Sequence, residues 1–79
     1  METINYMAID SYCAKRIHRY AERVSIALDQ MDMMRCPLYM ADPVLYDEMN
    51  DAIVDWCDEH EVSIDFYEDI DPEEVIFNA

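Results

Sequence analysis

Six carboxylates, Asp47, Glu48, Asp51, Asp55, Asp58 and Glu59, fall within one short stretch of the chain, and no other pattern in it carries as much chemistry. Asp47, Asp51 and Asp55 recur every fourth residue, which on a helix makes one row with about 6 Å between neighbours. Such an array attracts cations, whether lysine and arginine side chains or hard metal ions. Along roughly 26 Å of helix the six give about one negative charge per 4 Å. That approaches the ~3.4 Å spacing along one strand of duplex DNA. A second group, Asp65, Glu68 and Asp69, followed by Asp71, Glu73 and Glu74, extends the field.

Other reactive types are sparse. Asp58-Glu59-His60-Glu61 and the acids from Asp65 to Asp71 offer oxygen ligands, but the second group lacks the glycine and the closing glutamate spacing of an EF-hand loop. No specific metal site or cofactor is predicted. Cys57 and His60 stand three residues apart on one helix, a spacing without the third, orienting partner of a nucleophile and base. The chain has no glycine, so phosphate-cradling loops of the P-loop or Rossmann kind are excluded. No catalytic residues, and no enzyme, are expected. Cys13, Cys36 and Cys57 form no Cys-x-x-Cys pair. Arg16, Arg19 and Arg23 share one helix flank, where they match Glu48, Asp55 and Glu59 as ion-pair partners better than they match nucleic acid.

Elements that would position these groups can be read from apolar spacing. From about Ile4 to Met34, Ile9, Cys13, Ile17, Tyr20, Val24, Ala27, Leu28 and Met31 recur at helical steps, with Asn5 or Asp10 available to cap an early turn. A single helix of ~25 residues would be about 38 Å long, against a globule diameter of about 30 Å. It must overhang, kink or pack on a second copy, and a homodimer is the expectation that this mismatch and the many Met and Tyr favour. Residues 32–42 read as an apolar connector. Asp42-Pro43 starts a second helix that runs to about His60. Leu45, Met49, Ala52, Ile53, Trp56 and His60 line its inner face, with Trp56 at the centre of the core, and the six acids line the outer one. Val62 to Tyr67 alternates apolar and polar residues, predicting a strand over about 62–67 that would pair with Glu2–Met7 or with its own copy. Asp71-Pro72-Glu73-Glu74 announces a short C-terminal helix, 72–77, or an extended tail, with Glu74 placed to close a capping box.

Size and charge bound the class. A chain of 79 residues makes one domain, 1–79, with a small margin of stability. Hydrophobic residues at 53% suffice for a core, so disorder throughout is excluded. The net charge of −14 is one-sided. Residues 1–40 balance five acids with five bases, and residues 41–79 hold the other fourteen acids with no Lys or Arg. Self-repulsion of that kind costs stability. The N-terminal Met-Glu-Thr-Ile-Asn-Tyr has no basic and apolar leader pattern, and no stretch approaches the ~20 apolar residues of a membrane span. With unpaired cysteines this predicts a cytoplasmic protein.

The expected fold is therefore α-dominant α+β: a long N-terminal helix packed on an Asp-Pro-capped second helix, one strand and a short C-terminal helix or tail. The expected function is binding. Asp47, Glu48, Asp51, Asp55, Asp58 and Glu59, with Asp65, Glu68 and Asp69, would meet the basic surface of a partner, plausibly a nucleic-acid enzyme, and inhibit it by occlusion, binding no nucleic acid directly. Small anti-restriction and anti-CRISPR proteins of phages and mobile elements use that device, an analogy of composition only. The alternative is a structural or adaptor subunit that assembles through its Met- and Tyr-rich helices.

Overall fold

The computed structural model describes residues 5–60 and 70–79. Five helices occupy 82% of them: α1 Tyr6–Arg16, α2 Tyr20–Met34, α3 Leu38–Ala41, α4 Pro43–Glu59 and α5 Pro72–Asn78. No strand occurs among the described residues, whose regular structure is all helical. This corrects the α+β expectation. The segment 62–67 expected as a strand lies outside the described residues. Of its expected N-terminal partner, Glu2–Met7, residues 2–4 also lie outside the described residues, and Tyr6 and Met7 form the first turn of α1. The Asn5 side chain fixes that turn by accepting the Ala8 N–H at 3.1 Å.

The long N-terminal helix is also corrected. It breaks at Ile17–Arg19 into α1 and α2. Ile17 turns extended (φ −98°, ψ 120°) while its N–H still bonds the Cys13 carbonyl at 2.8 Å. Arg19 then takes left-handed geometry (φ 57°, ψ 35°) and α2 begins. The apolar pattern stays in phase across the break. Ile9, Cys13, Ile17 and Tyr20 are all buried, so periodicity reported the inward residues and was silent about the bend. The break at this corner removes the length mismatch, one of the two reasons to expect a homodimer. The Tyr20 hydroxyl ties the new helix to α1 by donating to Asp10 at 2.7 Å.

Without glycine, the second left-handed position also falls to an arginine. Arg35 (φ 51°) ends α2, and the N–H groups of Arg35 and Cys36 both donate to the Met31 carbonyl. Pro37 follows and offers no side-chain cap to α3, so the Leu38 N–H takes its acceptor from Glu73 of α5, at 3.1 Å. The Asp42 carboxylate caps α4 at the Leu45 N–H, 3.0 Å away, and Pro43 occupies the first turn. Asp71 likewise caps α5 at the Glu73 N–H, 2.8 Å. The capping box does not close there. Glu74 instead accepts the Tyr6 hydroxyl at 3.0 Å and pins α5 to the start of α1.

The largest fully buried side chains, among them Ile9, Leu38, Leu45, Met49, Ile53 and Val75, come from α1, α3, α4 and α5. These helices meet in one core. Trp56 is one of its buried residues, with its ring stacked on that of His60 (centroids 4.2 Å apart, planes at 22°). Among the described residues no helix is long and apolar enough to cross a membrane. The left-handed arginines yield a test of this frame. Left-handed geometry costs a residue with a side chain roughly 1–2 kcal/mol, so Arg35→Gly should raise the unfolding free energy by about 1 kcal/mol in urea titrations with an unchanged slope. A loss of stability would show that Arg35 contributes contacts that outweigh its backbone strain.

Candidate functional site

The rotation of α4 about its own axis decides what each carboxylate faces. Leu45, Met49, Ala52, Ile53, Trp56 and Cys57 are buried and define the inner side. Successive residues turn by about 100°, so Asp47, Asp51 and Asp58 fall within about 40° of one another, opposite that side. All three are exposed. Glu48, Asp55 and Glu59 form a second line about 80–120° round from Asp47.

The second line meets the arginine flank. Arg16 of α1 pairs with Asp55, and Arg23 of α2 pairs with Glu48. Arg16 also donates to the Tyr12 hydroxyl at 3.3 Å, and its guanidinium carbon stands 5.4 Å from the centre of the Tyr12 ring. The hydrogen bonds to Asp55 and Tyr12 push the Arg16 guanidinium above its usual range. Arg19 does not reach α4. It sits in the left-handed corner and pairs with Glu22, 2.9 Å away on its own helix. Glu59 is exposed with no ion-pair partner among the described residues. Ion pairs as exposed as that of Arg23 with Glu48 are worth roughly 0–1 kcal/mol. Their consequence here is to pair two of the three acids of one line, Glu48 and Asp55, and none of the other.

The row read from sequence as Asp47, Asp51 and Asp55 is thus redrawn as Asp47, Asp51 and Asp58. Asp58 follows Asp51 by seven residues, two turns of helix, a relation visible in the sequence. The arginines' partners were read from sequence as Glu48, Asp55 and Glu59, and two of them, Glu48 and Asp55, are paired; that this takes Asp55 out of the row was not drawn. Asp51 borders a shallow cleft of about 270 Å³ with Arg16, His18 and Glu48, yet pairs with no cation among the described residues. Asp65, Glu68 and Asp69, the expected second patch, lie outside the described residues. Sequence reasoning overlooked the apolar part of this surface. Val44 stands one turn ahead of Asp47 and two ahead of Asp51 and is 60% exposed, and Tyr39 and Met40 of α3 are 55% and 63% exposed.

Groups with covalent chemistry are held differently. His60 Nδ1 lies 2.8 Å from the Trp56 carbonyl, and its ring is stacked on the indole. Cys57 points into the core, where burial and, after it, the Asp58 charge push its thiol up. Burial, aided by Asp10, raises the Cys13 thiol to about 11. Such thiols carry little thiolate at neutral pH and are poor nucleophiles and ligands. Among the described residues no three His, Cys, Asp or Glu side chains gather in a metal-binding arrangement. No protein-family model, curated protein or solved structure matches this chain.

The thiols give a test of side-chain placement. Cys36 is half-buried whereas Cys13 and Cys57 are buried. Iodoacetamide at neutral pH should add one label quickly, at Cys36, and the other two only on the timescale of unfolding, as read by intact mass and peptide mapping. Rapid labelling of Cys13 or Cys57 in the folded protein would contradict the packing of α1 against α4.

Proposed function

We propose that this chain is an acidic binding protein whose α4 outer face occupies a basic surface of a partner protein and so excludes the partner's own polyanionic ligand. The observation that carries the reading is the bare row Asp47, Asp51 and Asp58 on a helix whose rotation the core fixes. Fixed charges of one sign raise association rates and select cationic partners, with a steep dependence on salt. Surfaces that nucleic-acid enzymes turn toward phosphates belong to this class. The charge count refines the idea. With Glu48 and Asp55 paired, four of the six acids remain along ~26 Å of helix, about one per 6 Å. A DNA strand carries one per ~3.4 Å, so the face suits scattered lysines and arginines better than it imitates a continuous phosphate backbone. The three free cysteines suit a reducing compartment such as the cytoplasm.

A second reading, self-assembly, draws on the exposed apolar side chains Met33, Met34, Tyr39 and Met40. Two copies would bring together −14 each, so this association should strengthen as salt rises, the opposite trend.

The Asp47→Asn/Asp51→Asn/Asp58→Asn variant decides between them. Removing like charges a turn apart should stabilise the fold by roughly 0.2–0.5 kcal/mol per close pair and raise Tm. Wild-type protein on beads should hold a partner from a cell lysate at ~0.15 M salt and release it by ~0.5 M. The triple variant should not hold it, while Glu48→Gln/Asp55→Asn should hold most of it. Equal capture by the triple variant would contradict the reading.

A further inference from the structure

α2 is held less firmly than the helices around it. The largest fully buried side chains come from α1, α3, α4 and α5, and none comes from α2. In 15 residues α2 buries Tyr20, Ala27 and Met31, and of these only the smallest, Ala27, is as enclosed as the core of α4. Toward α5 a cleft of about 430 Å³ opens, lined by Leu28, Met31 and Asp32 of α2 and by Glu73 and Phe77 of α5. Among the described residues, the side chains that bond α2 to another helix are Tyr20, to Asp10 of α1, and Arg23, to Glu48 of α4. Both ends of α2 are strained as well. Arg19 (φ 57°) and Arg35 (φ 51°) are the positive-φ positions among the described residues, and they bracket it. Left-handed geometry is unfavourable for a residue with a Cβ, and a chain released from the helix no longer has to adopt it.

We infer that α2 is a strap that detaches and melts as one unit, from Arg19 to Arg35, while α1, α3, α4 and α5 stay folded. Its neighbours are held without it. α1 packs on α4 and α5, and the Tyr6 hydroxyl donates to Glu74. α3 packs on α4 with Leu38 fully buried, and the Leu38 N–H donates to Glu73 of α5. Both ends of α2 therefore stay tethered, and the helix cannot swing away as a rod. Melting meets that constraint. A helix of this length is marginal in water once its packing is lost. The same residues as coil easily span the ~22 Å that the helix covers. Cooperative opening of the element with the fewest buried contacts is the ordinary form of sub-global unfolding. Here it has a second effect. Detachment withdraws Arg23 from Glu48, so the state of α2 sets how many acids of α4 are paired.

Amide hydrogen exchange of the full-length protein, followed by NMR in low concentrations of urea, tests this. After correction for intrinsic rates, the amides within α2 should share one opening constant, at least about tenfold larger than that of Met49, Ile53 and Cys57 in α4. Two variants separate strap opening from global unfolding. Ile53→Val weakens the core that survives the opening. It should speed exchange within α4 about fivefold and leave the α2 rates unchanged. Ser25→Gly, at an exposed position of α2, weakens only the closed helix. It should speed exchange in α2 and in α4 by the same factor, because both openings lose that helix. Equal protection of α2 and α4, or an Ile53→Val protein in which both speed up alike, would overturn the inference by showing that α2 opens only when the whole molecule unfolds. Rates that climb residue by residue toward the ends of α2, with no shared opening, would overturn it in favour of simple fraying.

Discussion

Burial of one side of α4 constrains everything else in this molecule. Leu45, Met49 and Ile53 are fully buried in one core with side chains from α1, α3 and α5, and Trp56 is buried with them. Each such side chain contributes roughly 1.5–3 kcal/mol, and burying an unpaired carboxylate in exchange would cost several kcal/mol more. Repulsion within the acidic row opposes this by only a few tenths of a kcal/mol per pair. The core therefore wins easily. It fixes the rotation of α4, and the carboxylates must stand where that rotation leaves them.

Not all of the acidity is available to a partner. Asp42 and Asp71 cap helices, Glu73 caps α3 from a distance, Glu74 and Asp10 accept tyrosine hydroxyls, and Glu48 and Asp55 hold arginines. These seven have internal work, and no charged side chain is buried among the described residues. What remains on α4 among the described residues is the row Asp47, Asp51 and Asp58, with Glu59 beside it.

Local signals were legible in the sequence and tertiary ones were not. Asn5, Asp42-Pro43 and Asp71-Pro72 announce helix starts through residues that act within one turn, and each does so in the structure. The break at Ile17–Arg19 left no mark, since Arg19 is an uncommon residue for left-handed geometry and the apolar phase continues through it. The pairing of Arg16 with Asp55, and of Arg23 with Glu48, was foreseen as a flank-to-flank match. Its effect on the row, trading Asp55 for Asp58, needed the packing of three helices. Glu74 illustrates the same limit: a capping-box position in sequence became a tertiary anchor because Tyr6 lay within reach.

The central claim is that Asp47, Asp51 and Asp58 stand unpaired on one line of α4 while Glu48 and Asp55 of the adjacent line hold arginines. Paramagnetic relaxation of α4 protons by a small cationic cosolute, divided by that of a neutral analogue of equal size, reads the local potential residue by residue. The account predicts the largest cationic excess at Asp47, Asp51 and Asp58, and a smaller one at Glu48 and Asp55. An even excess around the helix, or a maximum at Glu48 and Asp55, would contradict it.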